Sequence, residues 1–459
     1  MLFNSLVFLL LFLPAAWAGY AAVVRTLPRG RTAYLVLVSF VFYASFDLRF
    51  VPVLAASILL NWLLAAVFVR SGRGPLITIG IAANLLLLGI FKYLDFFGGL
   101  LALIPGVTPP RYDLALPLGI SFFTFQHVMY LSDLRSGRTR HAGLLDYALY
   151  VAFFPRVIAG PLVRPADLLP QLAERAALPA AETVARGLAL LVLGLAKKVF
   201  VGDPLGAFVD PIYARVATGA IPTIAEAWQA TLGYTFQLYF DFSGYTDMAL
   251  GLALLFGIVL PQNFDAPYRA VSIQDFWRRW HITLSLFLRD YLYIPFGGNR
   301  HGVPRQVLAL FATMALGGLW HGAGWTFVAW GALHGIALGT HLIWRKAGRA
   351  MPDALGWACT FAFVSLAWVL FRAPDFAAAT AIYAGLAGLS AGGLGQPSSD
   401  FWQLAAIAAA LATLGPTAWS LSRKLPPLRW AAAALGLVLV AVLLKVGDDA
   451  NADFIYAQF

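Results

Sequence analysis

Long apolar stretches without charged residues alternate with short basic loops along the N-terminal part of the chain. Residues 32–46, 50–69 and 74–91 contain no Asp, Glu, Lys or Arg. About 20 apolar residues are enough for a helix to cross the ~30 Å hydrocarbon core of a bilayer. These stretches therefore predict membrane-spanning helices, and the basic loops 25–31 and 70–73 are expected on the cytoplasmic side by the positive-inside rule.

The first residues have features of both a signal peptide and a membrane span. Residues 1–19 combine an apolar core with the tripeptide AWA before Gly19, as in a cleavable signal. However, no Lys or Arg precedes that core, and the apolar run continues to Val24. We therefore predict an uncleaved first span whose N-terminus faces outward.

The apolar pattern is less regular between residues 92 and 225. Residues 114–132 are long enough to span a membrane, but they carry polar side chains in their interior, including His127. Short or broken helices that line a cavity fit this pattern better, and His127 fits a structural role. Arg156 and Arg164 either anchor their segment at the membrane interface or contact an anionic ligand. Prolines interrupt the apolar pieces at Pro105, Pro109, Pro110 and Pro117.

Two carboxylates bracket a Ser-Gly-Tyr sequence in the next apolar stretch. Asp241 and Asp247 are six residues apart, which does not place them on one helical face. Gly244 between them predicts an interruption of the helix. We expect these carboxylates to receive arginines from the region of Arg278 and Arg279, in a structural rather than a catalytic role.

His321 lies in the middle of an uncharged run, 306–344, that is long enough to cross the membrane and return. It would be about 22 Å from the inner face at 1.5 Å per residue, near the turn of a hairpin. An ionisable group at that depth is costly and is usually functional, although a buried structural histidine is the alternative. His334 and His341 in the second arm fit the structural role. Glycines around His321 are expected to loosen the helix toward a cavity: Gly317, Gly318, Gly322 and Gly324.

His281 has a different setting, in the sequence WRRWH within the strongly basic segment 268–305. The basic residues place this segment on the cytoplasmic side, so His281 is expected near the inner face. Two histidines approached from opposite sides suit a reaction whose donor and acceptor lie in different compartments.

After the hairpin the chain is again a series of apolar stretches, 354–371, 376–399, 401–422 and 430–444. The tail carries Asp448, Asp449 and Asp453 and is expected outside. Termini on the same side require an even number of crossings, so ten or twelve are predicted. We expect one integral-membrane domain over residues 1–459.

The composition agrees with a polytopic membrane protein. Hydrophobic residues make up 60% of the chain and charged residues only 12%, which excludes an ordinary soluble domain. The net charge of +10 is spread over short loops, so it reports topology and does not argue for nucleic acid. The single cysteine, Cys359, can form no internal disulfide, and no pattern supports it as a nucleophile.

Five blocks of the chain are distinctive in their sequence and in their order. They are FFPRVIAGPLVRP, YFDFSGYTDMALGLALLFGI, NFDAPYRAVSIQDFWRRWHITLSLFLRDYLYIPFGGNR, GGLWHGAGWTFVAWGALHG and FIYAQF. Together they resemble the membrane-bound O-acyltransferase family, in the branch of bacterial subunits that acetylate alginate, cellulose or peptidoglycan. The likeness extends along nearly the whole chain, and the combined WRRWH and LWHGAGW sequences are its most specific part. Ala457 departs from the aromatic residue that is more frequent in this branch, which concerns packing more than chemistry.

The resemblance implies an all-α fold of about 10–12 transmembrane helices, with re-entrant or broken helices around a central tunnel. His321 matches the invariant histidine of the family, and His281 matches its second histidine. The implied donor is cytoplasmic acetyl-CoA, with no permanently bound cofactor and no metal. An extracytoplasmic partner with a serine-hydrolase-like active site, within an exopolysaccharide biosynthesis complex, would complete the modification. The implied location is the bacterial inner membrane.

The chemistry of such a transfer assigns roles to the candidate residues. Neutral imidazole near pH 7 is suited to remove a hydroxyl proton during attack on a thioester, which is the role expected of His321. His281 would orient the thioester or assist proton transfer. Arg278, Arg279 and Trp280 are placed on the acyl-CoA side, although contacts with lipid headgroups explain the two arginines equally well.

Other functions remain open from the residues alone. Peptidoglycan acetylation and D-alanyl transfer to teichoic acid, the latter from a carrier-protein thioester, would use the same fold. A transporter or polymer-export channel would also have discontinuous helices and buried polar groups. The identity of the modified polymer is not encoded in any feature of the chain.

Overall fold

The computed structural model describes residues 1–104, 106–108, 112–174, 176–424, 429–448 and 454–455. Helices are the regular structure throughout these residues, and no strand occurs among them, which confirms the all-α prediction. The predictions for Pro105, Pro109, Pro110, Asp449 and Asp453 lie outside the described residues, as does the one for Ala457.

The α-helices of the described residues begin and end as follows. In chain order they are α1 (Leu13–Thr26), α2 (Arg31–Ala44), α3 (Val51–Ser71), α4 (Pro75–Leu88), α5 (Leu94–Gly98), α6 (Ile120–Arg135), α7 (Leu144–Ala152), α8 (Pro165–Ala173), α9 (Ala181–Lys197), α10 (Asp203–Ala217), α11 (Ile224–Leu255), α12 (Ile273–Arg279), α13 (Ile282–Leu288), α14 (Gly302–His321), α15 (Trp325–Lys346), α16 (Asp353–Arg372), α17 (Phe376–Leu386), α18 (Ser399–Thr413), α19 (Ala418–Lys424) and α20 (Arg429–Asp448).

Seven segments of the described chain are long and apolar enough to cross a membrane, or eight if the pair α18 and α19, bent by 61°, is one span. This supports a multi-pass membrane protein but gives fewer crossings than the ten or twelve predicted. Some predicted spans are short helices, such as α2 with 14 residues and α17 with 11. The seven segments are Phe8–Thr26, Leu48–Ser71, Pro75–Leu101, Gly302–His321, Trp325–Lys346, Asp353–Arg372 and Trp430–Gly447.

The chain forms two compact units. The first contains residues 1–192, 245–261 and the described residues after 428, and the second contains residues 193–244 and 262–424. The first unit has an aromatic core in which the ring of Phe42 contacts Phe3, Phe8 and Phe154 at centroid distances of 5.4, 5.8 and 5.5 Å. Both candidate catalytic histidines belong to the second unit, and the prediction of one domain over the whole chain stays a prediction.

The helix α11 is continuous for 32 residues, so the interruption predicted at Gly244 is wrong. A Cβ at Gly244 would lie 2.8 Å from the carbonyl oxygen of Gly194. The glycine therefore permits close packing against the neighbouring helix α9, and because a helical backbone tolerates glycine at a cost of about 1 kcal/mol, it does not break the helix.

The WRRWH sequence forms the end of one short helix and the tight turn that precedes the next. The Ser272 hydroxyl accepts a hydrogen bond from the backbone N–H of Asp275 at 3.1 Å and so begins α12. The helix α12 ends at Arg279, and α13 starts at Ile282. His281 lies in the turn with a φ of 42°, a left-handed conformation that is uncommon for a residue with a side chain.

Candidate active site

His321 is the last residue of α14, and α15 begins four residues later. Both helices are candidate membrane spans, of 20 and 22 residues. The segment between them contains Gly322 and Gly324, both with extended backbones. The prediction that His321 lies at the turn of a helical hairpin is therefore confirmed.

Glycines bring the two arms of this hairpin into backbone contact. A Cβ at Gly318 would lie 2.2 Å from the carbonyl oxygen of Phe327, and one at Gly331 would lie 2.2 Å from that of Met314. The helix α14 is continuous through Gly317 and Gly318, so the predicted loosening of the helix at these positions is wrong. The glycines allow close packing, which orders the end of α14 where His321 lies.

Aromatic rings surround the imidazole of His321, which is only 3% exposed. Its ring centroid lies 4.8 Å from Trp320, 5.2 Å from Trp330 and 5.1 Å from Phe371. Rings packed on several sides restrict the rotation of the imidazole and exclude most water. The candidate base is thus held in a largely dry site.

Apart from His281 and His321, the second unit contains three histidines, which differ in burial. His334 is fully buried, and the indole N–H of Trp277 donates a hydrogen bond to its Nδ1 at 3.2 Å. This contact supports the structural role predicted for His334. His341 is half-buried and lines two cavities, whereas His301 is exposed.

His281 is completely buried, and its Nδ1 lies 3.2 Å from Oδ1 of Asn263. That oxygen also accepts from the backbone N–H of Thr283 at 3.1 Å, which identifies it as an acceptor. Nδ1 of His281 therefore carries the proton, and Nε2 has the lone pair. Burial lowers the pKa of His281 to about 3, so the ring is neutral at pH 7.

A continuous series of ring contacts connects the two candidate histidines. Phe264, Trp280, Trp368 and Trp330 lie between His281 and His321, with successive centroid distances of 6.4, 5.1, 5.0, 5.5 and 5.2 Å. Both histidines therefore belong to one aromatic core of the second unit. Trp280 is part of this core, and the central tunnel implied by the resemblance stays a prediction.

A cavity of about 420 Å³ lies against this core and is bordered by Trp277, Arg278, Met314 and Arg345 among other residues. Arg278 is exposed and borders the cavity, and its contact with acyl-CoA stays a prediction.

The other two residues predicted for the acyl-CoA side, Arg279 and Trp280, do not border this cavity. Arg279 is paired with Asp275 at 2.9 Å and lies 3.9 Å from Asp265. Trp280 is 1% exposed and is buried against Trp368. Only Arg278 of the three predicted residues therefore has a place at the cavity.

The carboxylate of Asp241 receives a lysine and not the predicted arginine. Nζ of the fully buried Lys198 lies 2.7 Å from Asp241 and 2.8 Å from Asp203. Burial lowers the pKa of Lys198, but the two carboxylates outweigh this effect and raise it above its ordinary value. The sequence contained no signal for this pairing, since Lys198 stands at the end of an unremarkable apolar stretch.

Two predicted positions of the first unit have structural contacts. His127 is fully buried, with Nδ1 2.6 Å from the Tyr147 hydroxyl and Nε2 3.3 Å from that of Ser57, which supports its structural role. Arg156 is also fully buried, and its guanidinium lies 5.1 Å from the ring centroid of Tyr150. Burial speaks against its contact with lipid headgroups, and the alternative of a contact with an anionic ligand stays a prediction.

Comparison with known proteins connects this site to a family. The model of the membrane-bound O-acyltransferase family matches residues 87–373, more than half of the chain. The chain belongs to this family. His281, His321 and the whole α14–α15 hairpin lie within the matched residues, so the chain is an acyltransferase. With its candidate spans and its bacterial relatives, it is a multi-pass protein of the bacterial inner membrane.

Three relatives illustrate the range of the family. A peptidoglycan O-acetyltransferase from Helicobacter pylori is 40% identical over 427 residues, which cover 85% of this chain and 80% of the relative. A probable alginate O-acetylase from Azotobacter vinelandii is 41% identical over 397 residues, covering 84% and 78%. A teichoic acid D-alanyltransferase from Bacillus subtilis is 28% identical over 289 residues, covering 58% and 71%.

Proposed function

We propose that this acyltransferase moves an acetyl group from cytoplasmic acetyl-CoA across the membrane, for O-acetylation of an extracytoplasmic polysaccharide. The observation that carries the proposal is the burial of His321 at a hairpin turn, in an aromatic core that borders a basic cavity. The two relatives of about 40% identity, whose names specify O-acetylation of peptidoglycan and alginate, support acetyl as the acyl group.

In the proposed reaction, His321 acts as the general base. Its neutral imidazole takes the proton of an acceptor hydroxyl while the oxygen attacks the thioester carbonyl. The carbon–sulfur bond then breaks, and the proton passes to the thiolate of coenzyme A, so that no net proton is consumed. The dry aromatic surroundings of His321 suppress competition from water, which would hydrolyse the thioester.

The donor is proposed to bind at the 420 Å³ cavity. Arg278, Arg289 and Arg345 border it and would attract the phosphates of coenzyme A, while Trp277 and Met314 provide apolar walls for the thioester arm. Trp277 also contacts Trp330 at a centroid distance of 5.9 Å, and Trp330 contacts the imidazole of His321 at 5.2 Å. The donor cavity and the proposed base are thus two ring contacts apart.

His281 has a supporting role in this proposal. The Nδ1 proton is engaged by Asn263, so Nε2 is the atom that would accept or relay a proton. Its low pKa keeps it neutral throughout the physiological range. An extracytoplasmic partner with its own serine nucleophile is proposed to receive the acetyl group and to modify the polymer.

The test is acetyl transfer by the purified protein with labelled acetyl-CoA. His321→Ala should abolish transfer while the protein still folds and binds coenzyme A, because the substitution removes only the base. His301→Ala is the matched control, since His301 is exposed and lies outside the aromatic core. Full transfer activity in His321→Ala would refute the mechanism.

D-Alanyl transfer is the second candidate function, since the Bacillus subtilis relative is a teichoic acid D-alanyltransferase. Its donor would be a carrier-protein thioester. Incubation of the purified protein with labelled acetyl-CoA in one reaction, and with a D-alanyl carrier-protein thioester in another, separates the two functions. Label accepted only from the carrier protein would favour this second candidate.

A further inference from the structure

A second cavity, of about 890 Å³, forms a groove along α15 and α16. Its lining residues on α15 recur every three or four positions, so that they occupy one face of the helix. They are Leu333, Ile336, Ala337, Thr340, His341, Trp344 and Arg345. Several of these apolar side chains are exposed, including Ile336 at 53%.

The length of the groove matches one leaflet of a bilayer. From Leu333 to Arg345 the helix α15 rises about 18 Å, and from Asp353 to Phe363 the antiparallel helix α16 rises about 15 Å, at 1.5 Å per residue. Half of a ~30 Å hydrocarbon core is about 15 Å. An acyl chain of a phospholipid therefore fits the groove over its whole length.

The two ends of the groove differ in polarity. Arg278, Arg345 and Arg349 lie at the end formed by the loop between α15 and α16, and Leu333 and Phe363 lie at the other end. Within the described part of the chain, none of these three arginines forms an ion pair with a carboxylate. The groove thus combines a positively charged mouth with an apolar interior.

The neighbours of these arginines leave the mouth with net positive charge. Arg345 donates to Gln274 at 2.8 Å, and the guanidinium of Arg349 lies 5.2 Å from the ring centroid of Trp344. Of the two acidic side chains that line the groove, Asp275 is paired with Arg279. Asp353 is left to offset one of the three positive charges.

We propose that this groove is a binding site for one anionic phospholipid. The phosphate and headgroup would lie against Arg349, which borders this groove and not the 420 Å³ cavity, and one acyl chain would lie between α15 and α16. Charge complementarity favours an anionic over a zwitterionic lipid, since each basic residue near an anionic lipid surface contributes about 1 kcal/mol. Coenzyme A carries phosphates as well, but the two amide groups of its pantetheine arm would lie against the mostly apolar walls between α15 and α16, where few hydrogen-bond partners are available.

Native mass spectrometry of the intact protein, released from nanodiscs of equimolar phosphatidylglycerol and phosphatidylcholine, tests the proposal. The unmodified protein should retain one phosphatidylglycerol. Arg349→Ala should lower that retention about fivefold, the equivalent of about 1 kcal/mol. Lys346→Ala is the matched control, because Lys346 is a nearby exposed cation that does not line the groove.

A second variant fills the groove without a change of charge. Cys359 is an exposed wall residue, so Cys359→Phe should be tolerated by the fold and should still displace the acyl chain. A melting temperature in detergent close to that of the unmodified protein shows that the fold is intact. Loss of the bound lipid in this variant supports a site in the groove.

Three results would overturn the proposal. Equal retention of phosphatidylcholine and phosphatidylglycerol would show that the charged mouth does not select a headgroup. Equal losses in Arg349→Ala and Lys346→Ala would show a diffuse surface attraction. Release of the lipid by added coenzyme A would assign the groove to the acyl donor.

Discussion

The backbone contact between α14 and α15 predicts a large effect of adding one methyl group at Gly331. A Cβ there would lie 2.2 Å from the carbonyl oxygen of Met314, whereas Cβ atoms essentially never approach another atom closer than 3.0 Å. The difference between these values, 0.8 Å, is the least distance by which the two helices must move apart. Neither contacting group is a flexible side chain, so the backbone itself has to move.

The displacement falls on the residues that hold the proposed base. Trp330, next to Gly331, contacts the imidazole of His321 at a centroid distance of 5.2 Å. Overpacking of this kind costs about 1–3 kcal/mol of stability. A misplacement of about 1 Å at a catalytic group can lower the rate about 100-fold. We therefore expect Gly331→Ala to remain folded and to lose about two orders of magnitude of acetyl transfer.

The assay compares acetyl transfer and the melting temperature in a graded series of glycine substitutions. Gly317→Ala should have an intermediate effect, since its Cβ would meet only the flexible side chain of Leu288 at 3.2 Å. Gly436→Ala, in a helix with no atom within 4 Å of the new Cβ, should behave like the unmodified protein. Unchanged transfer in Gly331→Ala, or equal losses at all three positions, would refute the reasoning.

Two further predictions concern buried charges. Lys198→Met should destabilise the protein by about 3–5 kcal/mol, because it leaves the buried carboxylate of Asp241 without its cation; a melting temperature equal to that of the unmodified protein in detergent would contradict this. His281 has a folded-state pKa of about 3, against 6.5 for an ordinary histidine, so below pH 6.5 the unfolded chain binds a proton that the folded protein excludes. The stability that this histidine contributes is complete above pH 6.5 and is lost toward pH 3, by about 1.4 kcal/mol per pH unit. His281→Gln should flatten the decline of the melting temperature between pH 6.5 and 5, and an unchanged slope would show that His281 is protonated equally in both states.

The hairpin illustrates what local patterns reveal. The uncharged run around His321 has 39 residues, enough for two crossings of roughly 20 residues each if it turns near its middle. The structure has two helices of 20 and 22 residues joined there. Helix length and turn position follow from hydropathy, which acts within a segment. The same pattern gave no indication that Gly318 and Gly331 lie in contact, since that depends on how two helices pack.

The charged residues show the opposite case. Arg279 and Asp241 were expected to pair, but Arg279 is four residues from Asp275 on the same helix and forms its ion pair there. Asp241 is paired with Lys198, 43 positions earlier in the chain. Proximity in sequence favours pairs within one helix, whereas pairs between helices depend on the packing register and are not visible in composition.

Membrane class, helical content and the location of the hairpin turn all follow from the amino-acid sequence, because each depends on the hydropathy of continuous segments. Three other features required the folded chain. His281 and His321 share one aromatic core, Asn263 imposes the tautomer of His281, and Arg278 alone of the three residues predicted for the acyl-CoA side borders the 420 Å³ cavity. These features arise from contacts between residues far apart in sequence. Their geometry is set by helix packing, which no local pattern encodes.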